Sequence, residues 1–118
     1  MKNILIVDDA QFIRYSLKTM IEGRGFNVIG EAGNGKVAIR LFKELEPDIV
    51  LMDITMPEMD GLEALKEIMK INSRARVIMI SAMGKEGIVR DAVLAGAKGF
   101  IVKPFTEDTV IKTLERMI

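Results

Sequence analysis

Cysteine, histidine and tryptophan are all missing from this chain of 118 residues. Without cysteine there is no disulfide, no thiolate zinc centre and no thiol nucleophile. Without histidine there is no serine-type triad of the usual kind, no imidazole metal ligand and no histidine phospho-carrier. An excess of one charge is missing too. The 17 Lys plus Arg balance 17 Asp plus Glu, which argues against the sequence-independent phosphate grip of a nucleic-acid binder. No apolar run approaches the roughly 18 residues of a membrane span, and no signal peptide follows Met1. These absences predict a cytoplasmic protein that contacts neither nucleic acid directly nor a membrane.

What is present is an ordinary globular composition, 49% apolar and 29% charged. The length suits one domain over residues 1–118. The neutral total conceals a polarity. Residues 1–60 hold 7 basic and 10 acidic groups, a net of −3, and residues 61–118 hold 10 and 7, a net of +3.

Short apolar runs alternate with amphipathic stretches. Strands are predicted at Asn3–Val7, Phe26–Ala32, Ile49–Asp53, Val77–Ser81 and Gly99–Val102. Helical spacing follows each one. It places Phe12, Ile13, Leu17, Met20 and Ile21 on one face before Gly23, and Ala38, Leu41, Phe42 and Leu45 on the face of a helix over Val37–Leu45. Asp60 and Thr106 are predicted N-caps, with Glu107 and Asp108 in the first turn after Thr106. A further helix runs from about Glu86 to Ala95. Five strands alternating with five helices imply an α/β fold. Strands that are apolar throughout imply a parallel sheet covered on both faces. Such sheets bind ligands at the carboxyl ends of their strands.

The strand ends carry the chemistry. Asp8 and Asp9 follow the first strand, Asp53 ends the third, Ser81 closes the fourth and Lys103 follows the fifth. Three converging carboxylates repel one another, and a cation relieves that repulsion. An oxygen-only donor set points to magnesium or manganese. An ammonium and a hydroxyl suit phosphoryl oxygens. A carboxylate can also be the nucleophile that forms an aspartyl-phosphate. Asp53, at a strand tip, is the candidate, with Asp8 and Asp9 as metal ligands.

Val7-Asp8-Asp9, Asp53 in MDITMPEMDG, Ser81-Ala82 and Lys103-Pro104-Phe105 resemble the signature of the receiver domains of two-component response regulators. The resemblance implies the flavodoxin-like (CheY-like) fold, with a five-stranded parallel sheet in the order 2-1-3-4-5. It implies that Asp53 is the phospho-acceptor. Asp9 and Asp53 would bind Mg2+ directly, Asp8 largely through water, and the Thr55 carbonyl would add a ligand. Lys103 would pair with the phosphoryl group. Ser81 and Phe100 would form the switch, and the Lys103–Pro104 bond would be cis. Phe100 stands where many relatives carry Tyr.

Thr55 and Met83 occupy positions at which the family tunes phosphoryl lifetime. MDITMPEMDG, SAMG and AGAKGFIVKPF are similar to segments of single-domain chemotaxis regulators. This implies a monomer phosphorylated by a CheA-like histidine kinase, acting on a FliM-like flagellar motor switch protein and reset by a phosphatase. Its own chemistry would be limited to taking and shedding its phosphoryl group. The alternative is the receiver of a phosphorelay or a transcriptional regulator.

Three other motifs fall short. Gly30-Glu-Ala-Gly-Asn-Gly35-Lys36 nearly spells a phosphate loop but continues with Val37, which has no hydroxyl for magnesium. A haloacid-dehalogenase-like phosphatase needs a second Asp where Thr55 stands. An FMN phosphate would be repelled by Asp8 and Asp9. Met52, Met56, Met59, Met79 and Met83 in or near the strand-end region read as soft core filling, the alternative being a soft lining that lets the loops rearrange.

Overall fold

A computed structural model describes residues 1–82 and 84–118. Five strands, β1 (Lys2–Val7), β2 (Phe26–Ala32), β3 (Ile49–Asp53), β4 (Val77–Ser81) and β5 (Gly99–Val102), form one sheet in the order β2-β1-β3-β4-β5. All neighbouring pairs are parallel. Five helices connect and follow them: α1 (Gln11–Glu22), α2 (Gly35–Leu45), α3 (Gly61–Ile71), α4 (Glu86–Leu94) and α5 (Glu107–Glu115). The expected class, strand order and helix count are therefore all present.

Alternation along the strands sorts the core into two layers. Leu5, Val7, Val50, Met52, Val77 and Met79 face α2, α3 and α4, where Phe42, Leu65, Ile68 and Ala92 meet them. Ile4, Ile6, Ile49, Leu51, Ile78 and Ile80 face α1 and α5, against Leu17, Ile21, Val110, Ile111 and Leu114. Burial on both sides is why the strands read as unbroken apolar runs rather than alternating ones.

Local chemistry sets the helix starts. The Asn34 side chain accepts from the Val37 N–H at 2.9 Å, so α2 begins at Gly35, two residues before the expected start. A Cβ at Gly35 would lie 2.7 Å from the Met59 carbonyl, and the Gly35 N–H donates to that same oxygen at 3.2 Å. Asp60 and Thr106 cap α3 and α5 as expected, accepting from Glu63 and Thr109. Two apolar positions differ from their expected burial. Phe12 is 77% exposed, and Leu45 sits at the rim of the core. Phe12 lies in the first turn of α1, where helical spacing continues but no surface covers the ring. Among the described residues, no helix is long and apolar enough to cross a membrane.

Candidate functional site

The parallel register brings the strand ends to one edge. β3 pairs with β1 on one side and β4 on the other, with Asp53 opposite Ile80. The Ile54 N–H then donates to the Ile80 carbonyl at 3.0 Å, and the Lys103 N–H donates to the Ser81 carbonyl at 2.8 Å. These continuations of the ladder hold the first loop residues in line with the strands. Asp8, Asp53 and Ser81 are buried there, whereas Asp9 is exposed.

One carboxylate oxygen from each of Asp8, Asp9 and Asp53 lies within 4.8 Å of the other two. The Lys103 ammonium donates to Asp8 Oδ2 at 3.1 Å and to Asp53 Oδ1 at 3.3 Å. Burial and the nearby Asp8 carboxylate push the Asp53 carboxyl up from its ordinary 3.8 to about 6, against the opposing pull of Lys103. Lys103 is held above its usual 10.5. Burial alone would lower it, but the Asp8 hydrogen bond and the charge of Asp53 outweigh that cost.

The loop after β3 is tightly tied. The Ile54 carbonyl accepts from the Gly61 N–H at 2.7 Å. A Cβ at Gly61 would fall 2.0 Å from the Asp53 carbonyl oxygen, so only glycine fits there. Glu58 has φ 66 between Pro57 and Met59, and the Met59 N–H donates to the Pro57 carbonyl at 2.8 Å. That is the tight, left-handed γ-turn otherwise rare for a residue with a side chain. Thr55 lies exposed at the start of this loop, one residue past the tethered Ile54.

Lys103–Pro104 is cis, as the resemblance implied. Phe100 is half-buried, stands opposite Met79 in the β4–β5 register and packs on the layer under α4. Phe105 packs on the opposite layer. Met83 lies outside the described residues.

Arg14 and Glu31 are site neighbours that the strand-end reading did not single out. An Arg14 guanidinium N–H donates to the Asp8 backbone carbonyl, and another donates to Glu31 Oε1 at 3.1 Å. Neither residue sits directly at a strand–loop junction, so only the three-dimensional packing places them.

A buried carboxylate held beside an ammonium and two further carboxylates, at the carboxyl edge of a 2-1-3-4-5 sheet, is the arrangement of a phospho-accepting receiver. The response regulator receiver domain family matches residues 4–115. The chain belongs to the response regulator receiver domain family. It is 54% identical over 116 residues to the chemotaxis protein CheY of Thermotoga maritima, covering 98% of this chain and 97% of that one. Bacillus subtilis CheY is likewise 54% identical over 115 residues, covering 98% and 96%. The crystal structure of a CheX–CheY–BeF3–Mg2+ complex from Borrelia burgdorferi superposes with a TM-score of 0.95 at 44% identity, covering 98% of this chain and 87% of that one. The receiver is homologous to CheY, and no observation favours the haloacid-dehalogenase-like reading over it.

The donors fit a small divalent cation. They are oxygens only, they are clustered, and burial together with the Asp8 charge already raises Asp53. That is the chemistry of a magnesium pocket rather than a zinc one.

Proposed function

We propose that this protein is a phosphorylation-activated response regulator of the chemotaxis type, with Asp53 as its phospho-acceptor. The observation that carries the reading is the buried Asp53 carboxylate, 3.3 Å from Lys103 and clustered with Asp8 and Asp9. Asp8, Asp9, Asp53 and the Thr55 carbonyl would hold Mg2+, with manganese as the nearest substitute. The cation would supply neutralising charge to the carboxylates and to the incoming phosphoryl oxygens.

An Asp53 carboxylate oxygen attacks the donor phosphorus in line. The bond to the donor nitrogen, or to the oxygen of a small acyl phosphate, breaks as the new O–P bond forms. Lys103 moves from a carboxylate partner to the phosphoryl oxygens and neutralises the charge they bring. The Ser81 hydroxyl donates to the same group, and Phe100 changes rotamer as the β4 end shifts. The result is a population shift to a form with an altered output surface. Catalysis is confined to the protein's own acyl phosphate, formed and hydrolysed at Asp53.

The partners that follow are a CheA-like histidine kinase as donor, a FliM-like flagellar switch protein as target, and a phosphatase. The full-length similarity to CheY proteins supports these assignments, as it supports a cytoplasmic monomer. The histidine of the reaction then belongs to the kinase, since this chain has none.

Acetyl phosphate with MgCl2, read by intact mass, tests the acceptor. One phosphate adduct is expected, absent from Asp53→Ala and absent with EDTA. An undiminished adduct in Asp53→Ala rules Asp53 out. Gain of binding to a flagellar switch peptide on phosphorylation tests the chemotaxis assignment, and no gain would refute it.

A further inference from the structure

Asp8 is held at each of its polar groups. Its N–H donates to the Ala32 carbonyl at 3.0 Å. Its Oδ1 accepts from the Ala10 N–H at 2.9 Å, and its Oδ2 accepts from Lys103 at 3.1 Å. Its backbone carbonyl accepts from Arg14 of α1. That carbonyl belongs to the peptide unit whose other end is the Asp9 nitrogen, so the Arg14 hydrogen bond fixes the plane that aims Asp9. The Asp9 side chain has no anchor of its own among the described residues. With no such anchor, its approach to within 4.8 Å of Asp8 and Asp53 depends on where the backbone directs it.

Arg14 is anchored in turn. Its Nε donates to Glu31 Oε1 at 3.1 Å, and its side chain is only 18% exposed. Glu31 stands near the end of β2, a strand that contributes no carboxylate to the Asp8–Asp9–Asp53 cluster. A Cβ at Gly33 would lie 3.7 Å from Arg14 Nη1, so the guanidinium is packed beside the turn that follows β2. The fork thus ties the outermost strand to the β1–α1 loop.

We propose that Arg14 is a positioning residue for the cation pocket. Braced by Glu31, it holds the Asp8–Asp9 peptide so that the Asp9 carboxylate is presented to the metal. This rests on the reading that the pocket takes Mg2+. Two features of Arg14 make the idea separable from a simple charge effect. A guanidinium is a like charge to Mg2+. If Arg14 acted only through its field, removing it would tighten Mg2+ binding. Positioning predicts the opposite sign. A lysine would keep the charge, but its point-like ammonium cannot span two acceptors in the fixed geometry of the fork.

The test is calorimetric titration of the wild type, Arg14→Ala and Arg14→Lys with MgCl2 alone, with the fold of each checked by circular dichroism. The wild type should bind. Arg14→Ala should bind about tenfold more weakly, the lower end of what loss of a ligand-orienting partner costs. Arg14→Lys should also be weaker, although its net charge is unchanged. Equal or tighter binding by Arg14→Ala, or wild-type affinity in Arg14→Lys, overturns the proposal. If Arg14→Ala does not fold, Arg14→Lys decides by the same criterion. A wild type that takes up no Mg2+ overturns the cation reading itself, a failure distinct from that of Arg14.

Discussion

Lys103 Nζ stands 3.3 Å from Asp53 Oδ1 across 50 residues of chain. The last residue of β3 and the first residue after β5 therefore meet in a single charge pair. Asp8 Oδ2, 3.1 Å from the same ammonium, makes one cation serve two carboxylates. With Asp9 alongside, the pocket carries more negative than positive charge, and burial amplifies the imbalance. Receptivity to a cation, and to a phosphoryl group through that cation, follows from this deficit.

The deficit should be measurable as instability without metal. Asp53 titrates at about 6 in the fold against 3.8 ordinarily, so the folded state binds its proton more tightly than the unfolded state does. The contribution of Asp53 to stability is therefore greatest below 3.8 and is lost as pH rises through about 6. A rise from 3.8 to about 6 corresponds to at most about 3 kcal/mol. Asp53→Asn, which does not titrate, should be more stable than the wild type in EDTA above pH 6, by about 1–3 kcal/mol. Urea denaturation on both sides of that pH checks this, and added MgCl2 should narrow the gap by stabilising the wild type.

The strand ends were legible because parallel sheets collect ligands there and because Asp8, Asp9, Asp53, Ser81 and Lys103 follow directly on apolar runs. Long-range pairing such as Lys103 with Asp53 then came from topology rather than from sequence spacing. The start of α2 lies before the apolar periodicity begins, because the Asn34 side chain caps the helix ahead of its first apolar residue. Phe12 shares the helical spacing of the buried face yet is exposed, because helical period alone cannot tell where the packed surface stops. Arg14 meets the site through the Asp8 backbone carbonyl and Glu31 only through Arg14, so neither contact leaves a mark in residue type or spacing.

Two glycines should respond oppositely to a methyl group. In Gly61→Ala the new Cβ meets the Asp53 carbonyl oxygen at 2.0 Å and Ile54 Cα at 2.9 Å, both backbone, so the loop that carries the acceptor must move. A loss of about 3 kcal/mol, with a lower rate of phosphorylation by acetyl phosphate, is expected. In Gly87→Ala nothing lies within 4 Å, and the residue is in α4. A gain of about 0.5–1 kcal/mol should follow from helix propensity. Thermal unfolding of the two variants beside the wild type reads both signs.

The cap on α3 should be separable from the chemistry. Asp60 accepts from the Glu63 N–H at 2.9 Å from an exposed position. Asp60→Ala should cost about 1 kcal/mol, and Asp60→Asn or Asp60→Ser should recover most of it. Phosphate uptake at saturating Mg2+ should stay near that of the wild type, since the Ile54–Gly61 backbone bond still ties the loop. Urea midpoints and intact mass after acetyl phosphate treatment distinguish the two effects.

Lys103→Met removes the only cation within hydrogen-bond reach of Asp53 among the described residues. Burial and Asp8 then act on Asp53 unopposed, and its titration midpoint must rise above about 6. A carboxyl that is largely protonated near neutral pH is a poor nucleophile, and the charge of the incoming phosphoryl group meets no ammonium. Phosphorylation by acetyl phosphate should fall by about tenfold or more, with a loss that shrinks as pH is raised. Carbon-detected NMR of the Asp53 carboxyl in EDTA gives the midpoint directly, and intact mass over time gives the rate. A midpoint that stays near 6 would mean that Lys103 does not set the charge state of Asp53. A slowed rate alongside it would then confine Lys103 to contacts with the phosphoryl group.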